Sequence, residues 1–435
     1  MRAFAPMFFT RDFKAEPYWW EDAPPAVLDP SPLPPEAEVV VIGSGYTGLN
    51  AALQTARGGR HTVVLDAEHA GWGCSTRNGG QISTSIKPDF EALATRHGKE
   101  RAFAILREGH EALAWIKQFI DSEGIECDFK VPGRFHAAHG PRHYEMLARA
   151  AASQMPGLET SAYVVERSEQ RRELGTDAYY GGLVYPRHAS LHPARYHRGL
   201  LDRVLRAGAG MVPHCPALAI EKNGAAFNVR TARGDLKAKD VIVASNGYTG
   251  AATAWHRRRL IPIGSYIIAT EPLAADVMDR LMPTDRIISD SRKVVYYYRP
   301  SPDRTRILFG GRVSAGETDP RVSGPKLGAE LARLFPELAQ ARISHSWAGF
   351  VAYTFDTLAH AGRHDGVHYA MGYCGSGVSM ASYLGMRIGQ QVLGLAEGRT
   401  AFDELPFPTR PLYSGKPWFL GALVGFYRWQ DRIRR

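Results

Sequence analysis

Residues 39–68 read VVVIGSGYTGLNAALQTARGGRHTVVLDAE. The β-branched run at 38–42 predicts a short buried strand, and 61–65 predicts a second one. Between them, 47–57 is built from small residues at helical spacing. The result is a βαβ unit. Gly43, Gly45 and Gly48 fall at its first turn as G-x-G-x-x-G, with Tyr46 and Thr47 opening the helix. In such a turn the first glycine permits the bend, the second admits a pyrophosphate against the backbone, and the third lets helix and strand touch. The phosphates then meet free N–H groups at the positive end of the helix dipole. Asp66 closes the second strand, followed by Ala67. A carboxylate there accepts hydrogen bonds from ribose hydroxyls and repels a 2′-phosphate, which disfavours NADP.

That loop alone does not separate NAD from FAD; the next one does. Residues 71–81 read GWGCSTRNGGQ, a second glycine-rich, polar loop directly after the ribose acid. An NAD enzyme has no need of it, whereas FAD continues past its adenosine. The segment resembles the A-S-G-R-N-G-G-Q loop of the D-amino-acid-oxidase-like FAD-dependent oxidoreductases, closest to the γ-glutamylputrescine oxidoreductase branch. VIVASNGYTG (241–250), IGSYIIATEPL (263–273), SLHPARYHRGL (190–200) and GYCGSGVSMASYLG (372–385) resemble that branch as well.

The resemblance implies an α/β (α+β) fold, with a Rossmann-like FAD-binding domain interleaved with an antiparallel-sheet substrate domain. It implies that Gly43, Gly45, Tyr46, Thr47 and Gly48 hold the pyrophosphate, and Asp66 and Ala67 the ribose. Gly73, Cys74, Ser75, Arg77, Asn78, Gly79, Gly80 and Gln81 line the flavin, and Ala217 touches adenine. Ala244, Asn246 and Gly247 close over the phosphates, while Gly375, Ser376, Gly377 and Val378 meet the flavin from a helix N-terminus. Cys74 and Thr76 replace the usual Ala and Gly, and Cys374 and Ser376 stand where Ser and His are common. Monomeric sarcosine oxidase, a relative, attaches its flavin through a cysteine that aligns with Val351 here, so the FAD is expected to be non-covalent. The oxygen-activating lysine of that relative falls near Leu308, which leaves oxygen or a quinone-type carrier as acceptor.

The implied reaction is oxidation of an amine or amino-acid C–N bond, with hydride passing to the flavin. Gln81, Tyr266, Tyr297, Tyr298, Arg299, Trp347 and Ser376 are the expected catalytic and substrate-contacting residues, Arg299 and the tyrosines suiting a substrate carboxylate. On alternating strands about half of such residues point away from a site.

The expected layout is discontinuous: an arm at 1–36; an FAD-binding part at 37–90, 191–250 and 341–400; a substrate part at 91–190 and 251–340; and a tail at 401–435. The proline-rich stretch 17–35 reads as an arm over the surface. Helices are expected at 99–121, at 192–206, and from the 372–377 turn to about 395. The span 125–190 reads as strands and turns, 227–245 as a hairpin on a Gly-Asp turn followed by a strand, and 261–313 as long antiparallel strands.

Lys and Arg outnumber Asp and Glu by 53 to 44, for a net charge of +9, but the basic residues are scattered until the last few. This speaks against nucleic acid and leaves an anionic ligand or surface open. Four isolated cysteines with no C-x-x-C argue against metal or dithiol chemistry and suit a reducing cytoplasm. No signal peptide is apparent at the N-terminus. The uncharged runs 39–56 and 369–386 read as buried strand–turn–helix units rather than membrane spans. The aromatic-then-basic tail at 417–435 suits either peripheral membrane contact or packing on protein. Two further readings remain: an NAD-dependent dehydrogenase using the first loop, and a non-catalytic flavin-binding subunit.

Overall fold

The β-branched run at the start forms the Glu36–Ile42 strand, and its fully buried valines place it inside a sheet. The computed structural model describes residues 8–28, 32–312 and 318–433. Among them, Glu36–Ile42 pairs in parallel with Thr62–Leu65 on one side and with Gly234–Val243 on the other. The sheet continues to Gly210–Val212 and, across Gly234–Val243, to an antiparallel extension and to Val367–Met371. The Tyr46–Arg57 and Gly377–Val392 helices lie together beside it. Their buried residues share one core with the Lys99–Glu123 helix.

The second sheet has nine strands among the described residues, in the order Phe9–Lys14, Ile343–Thr354, Leu260–Thr270, Ile307–Gly311, Tyr297–Pro300, Ile287–Asp290, Arg134–Ala137, Gly182–Tyr185 and Tyr163–Val165. Its centre is antiparallel, with Leu260–Thr270 matched along its length to Ile343–Thr354. Strand alternation sends neighbours to opposite faces. Tyr266, Ile268, Tyr298 and Phe309 pack into a core under the Pro320–Leu334 helix. Ile267, Leu308 and Trp347 face the other way, onto Tyr18 and Trp19.

Several expectations need correction. The arm is only partly an arm. Phe9–Lys14 joins the second sheet in parallel with Ile343–Thr354, and Trp19 is fully buried because its ring fills the space over that sheet. Residues 1–7 and 29–31 of that arm, and 434–435 of the tail, lie outside the described residues. The span 125–190 also holds a helix, Pro141–Ala152, whose proline at the first turn was a readable start signal. The 227–245 hairpin turns at Ala232–Arg233, and Gly234 already opens the returning strand. Within 261–313 the strands are interrupted by the Ala275–Leu281 helix. The Ile343–Thr354 strand, expected in the FAD-binding part, belongs to the second sheet, and the Lys99–Glu123 helix, expected in the substrate part, packs in the first core. The tail forms the Leu420–Ile433 helix, and Leu420 and Val424 pack on Ile261, Ile263 and Tyr413. No helix among the described residues is long and apolar enough to cross a membrane.

Candidate active site

The first glycine turn is built as its spacing requires. Gly43 has φ +105°, a left-handed geometry, and a Cβ there would press on the Ala244 carbonyl at 3.0 Å. A Cβ on Gly48 would run into the Gly43 carbonyl oxygen, so only glycine lets this helix sit on its strand. A Cβ on Gly45 would sit 2.9 Å from the Ser75 hydroxyl, in the cradle between the two loops. Asp66 is held by three donors: Ser44 N at 2.8 Å and Ser44 Oγ at 2.5 Å on one oxygen, and Glu68 N at 3.0 Å on the other. The carboxylate is therefore fixed beside the turn, and Ala67 after it is exposed.

The second loop is pegged from three sides by tryptophan N–H groups. Trp19 donates to the Asn78 carbonyl at 2.8 Å, Trp20 to Thr76 Oγ1 at 3.1 Å, and Trp347 to the Arg77 carbonyl at 2.8 Å. The Arg77 guanidinium lies between the Trp20 and Trp72 rings, 4.9 Å from each. Its Nε donates to the Trp72 carbonyl at 2.6 Å. Asn78 closes the loop on itself, accepting from Gly80 N at 2.8 Å and donating to the Cys74 carbonyl at 3.0 Å. Ser75 Oγ accepts from Tyr46 N at 2.9 Å and so joins the two loops. The Cys74 thiol donates to the Phe350 carbonyl at 2.7 Å, and burial pushes its pKa up to about 11. Gly73 lies under the Tyr248 ring.

The C-terminal turn meets the same region. Asn246 Oδ1 accepts from Gly372 N at 2.9 Å, and Cys374 N donates to the Ala352 carbonyl at 3.1 Å. Ser376 Oγ donates to the Ser85 carbonyl at 2.6 Å, and Gly377 and Val378 begin the long helix. Gly247 abuts Phe350. Ala217 sits farther out, paired with Thr231 in the antiparallel extension. Cys374, Ser376, Tyr373 and Lys87 line a small cleft.

Whether FAD fits is decided at the helix starts. Neither Tyr46–Arg57 nor Gly377–Val392 is capped by the side chain of its own N-cap residue or carries an acid in its first turn, although Ser75 Oγ takes the Tyr46 N–H of the first. An uncapped helix start leaves N–H groups that want an anion. Two such starts flank the glycine cradle and the pegged loop, which suits a pyrophosphate at one and the electron-rich edge of a flavin at the other. The residues present fit FAD.

The substrate-side residues divide by strand face. Tyr297 spans the gap: its ring lies against Gly79 and over Gly310, and its hydroxyl bonds Ser265 Oγ at 2.8 Å. Burial pushes that phenol up to about 12. Gln81 donates to the Ile288 and Tyr298 carbonyls at 3.4 and 3.2 Å, tying the loop to the second sheet. Tyr266 is buried in the sheet core at the border of a second cleft lined by Trp72, Arg77 and Tyr248. Tyr298, next to Tyr297, faces the opposite core, where its hydroxyl donates to Tyr179 at 3.3 Å. Arg299 is not placed to bind a substrate carboxylate. Its Nη1 donates to the Leu191 carbonyl at 3.0 Å and the Gly80 carbonyl at 3.4 Å, and its Nε to Pro300, so it acts as a clamp on the loop. Trp347 is likewise an anchor.

Tyr353 and Arg312 also border this region, and the sequence reading did not single them out. The Tyr353 hydroxyl is 3.9 Å from the Cβ position of Gly375, and Arg312 lies beside the Tyr353 ring at 5.9 Å. Strand alternation from Trp347 could have pointed to Tyr353.

The family model described as DAO, FAD-dependent oxidoreductase, matches residues 38–391. Gamma-glutamylputrescine oxidoreductase of Escherichia coli is 32% identical over 91% of this chain and 93% of its own length. A probable oxidoreductase, OrdL, of Haemophilus influenzae is 30% identical over 92% of this chain and 93% of its own. Among solved structures, glycine oxidase from Geobacillus kaustophilus superposes with a TM-score of 0.70 at 19% identity, covering 87% of this chain and 99% of that one.

Proposed function

The chain belongs to the DAO family of FAD-dependent oxidoreductases, and from that premise we propose that it oxidises the C–N bond of an amine or amino acid by hydride transfer. It is an FAD-dependent enzyme of the type that acts on amines or amino acids. Bound FAD supplies the hydride acceptor that turns the substrate's C–N single bond into an imine, which water hydrolyses to an aldehyde or keto acid plus an amine or ammonia.

The observation that carries this reading is the contact of Tyr297 with Gly79. It brings the polar edge of the second sheet against the loop proposed to bear the flavin. On this proposal Gly43, Gly45, Gly48 and the start of the Tyr46–Arg57 helix hold the pyrophosphate, and Asp66 the ribose. The Cys74–Gln81 loop and the Gly375–Val378 turn hold the flavin. Tyr297 stays protonated at working pH because its pKa is pushed up to about 12. It donates through its hydroxyl and takes no proton from the amine. The tryptophan pegs and the packed strands half-bury the loop, and the more water is displaced there, the more a neutral amine is favoured over an ammonium.

Leu308, at the position of the sarcosine oxidase lysine, is packed among Trp19, Ile267 and Trp347. This supports a quinone-type acceptor over oxygen. The cytoplasm is the proposed compartment. Trp418, Phe426 and Trp429 are exposed beside the C-terminal helix contacts, which supports peripheral membrane contact through 417–435.

Stopped-flow reduction with a substrate deuterated at the carbon next to nitrogen tests the chemistry. Slower reduction than with the protiated substrate is expected. Equal rates, with reduction shown to be the observed step, would rule out C–H cleavage as hydride transfer.

A further inference from the structure

We propose that the outer face of the Leu420–Ile433 helix is a docking surface for an anionic phospholipid bilayer. The proposal rests on the peripheral contact put forward above. It adds the lipid that is recognised, the side chains that enter it and the side of the molecule that faces it.

The helix is apolar on two opposite faces. Leu420 and Val424, one turn apart, are buried against Ile261, Ile263 and Tyr413, so that face is spent on the protein itself. Ala422, Phe426 and Trp429 share the far side, half a turn round the helix, and all three are exposed. Phe426 and Trp429 stack on each other with centroids 6.0 Å apart. Trp418, in the turn that leads into the helix, is 77% exposed, and Leu412 before it is exposed as well. One such residue would mean nothing; four large ones on one short segment mark a contact surface.

Charge decides the occupant. From residue 410 onward the chain carries Arg410, Lys416, Arg428, Arg432, Arg434 and Arg435 against a single acid, Asp431. That acid is turned inward: Oδ1 accepts from Lys293 N at 2.9 Å and Oδ2 from Val294 N at 3.0 Å. Arg410, Lys416 and Arg428 are exposed. Arg257, against Gly415, and Arg258, whose carbonyl accepts from Thr409 Oγ1 at 2.5 Å, bring two more cations beside the segment. Tryptophan rings at headgroup depth, with Lys and Arg beside them to meet lipid phosphates, are what an interfacial helix needs. A second copy of the chain fits worse, because two-fold pairing of this face would set the same arginines against one another.

The docked face also has a definite place. Arg428 donates to the Arg312 carbonyl at 2.9 Å, at the end of the Ile307–Gly311 strand. Asp431 holds the Lys293–Val294 backbone, which leads into the Tyr297–Pro300 strand. Docking therefore turns toward the bilayer the part of the second sheet from which Tyr297 meets Gly79.

The test uses the full chain loaded with FAD. Vesicles of phosphatidylcholine, with and without phosphatidylglycerol, are titrated into it, and co-sedimentation and tryptophan emission are read. The protein should pellet with the anionic vesicles, its emission should move to the blue, and salt should weaken the binding. Phe426→Ser combined with Trp429→Ser should weaken it about tenfold or more, with FAD content and Tm unchanged. Arg410→Gln combined with Lys416→Gln should remove the preference for anionic vesicles, and still tests the proposal if the aromatic pair does not fold. Failure to pellet with either vesicle, or equal binding by the variants, overturns the proposal. A mass that doubles with concentration and falls back in the aromatic variant, without vesicle binding, overturns it too and assigns the face to a second copy. Binding is read without turnover, so vesicle binding with no flavin reduction by any amine would instead sink the amine-oxidation reading and leave the docking face standing.

Discussion

The Trp347 indole donates its proton to the Arg77 carbonyl across 2.8 Å, and through that bond the second sheet grips the loop proposed to carry the flavin. Trp347 is 1% exposed, so its indole has this carbonyl as its partner rather than water. Trp347→Phe keeps most of the packing and removes the donor, at a cost of about 1–3 kcal/mol for the carbonyl left unpaired. The expected outcome is a folded protein that loses FAD on dilution several times faster than wild type, measured by flavin fluorescence recovery.

The two glycine positions in the first turn should behave differently. Gly48→Ala drives a methyl into the Gly43 carbonyl, a clash within rigid backbone. Overpacking of this kind costs about 1–3 kcal/mol or more, so low soluble yield and a depressed Tm are expected. Gly45→Ala meets only the Ser75 hydroxyl, at 2.9 Å. It should fold as apoprotein and bind FAD at least tenfold more weakly, which equilibrium titration would read.

The flavin should come off intact. The Cys74 and Cys374 thiols are each pushed up to about 11 by burial and donate to the Phe350 and Gly372 carbonyls. Neither is a thiolate at neutral pH, so neither is prepared for attachment. Acid precipitation should leave all yellow colour in the supernatant; a yellow pellet would contradict this.

Acid should weaken the fold through buried histidines. His256 packs edge-on to Tyr369 with both ring nitrogens unpartnered, and burial lowers its pKa to about 3. The unfolded chain takes up the proton near its ordinary pKa of about 6.5 while the folded one does not, so stability is full above that pH. It then falls by about 1.4 kcal/mol per pH unit down to the folded value. His256→Phe removes this term. Its Tm should fall less than that of wild type between pH 7 and pH 5.

These expectations draw unequally on the sequence. The first turn was readable because a strand, three spaced glycines, a helix and Asp66 must all agree to make it. The second loop was readable through its glycines and its resemblance, but its three tryptophan pegs were not, since Trp19, Trp20 and Trp347 reach it from 50 or more residues away. The substrate side was harder still. Tyr297 and Tyr298 are adjacent in sequence, yet one meets Gly79 and the other Tyr179, because the pleat alternates and its phase depends on register. Arg299 looked like a ligand group until the Leu191 and Gly80 carbonyls were seen to occupy it.

The most direct measurement is the visible spectrum of the purified protein, taken without air, before and after a pool of γ-glutamylputrescine, sarcosine, pipecolate, proline and common D- and L-amino acids. A flavin band that bleaches on addition is the predicted result, and subdividing the pool then names the substrate. A band that stays unchanged with every member contradicts amine oxidation. No flavin band, even after FAD is supplied, contradicts the cofactor site itself.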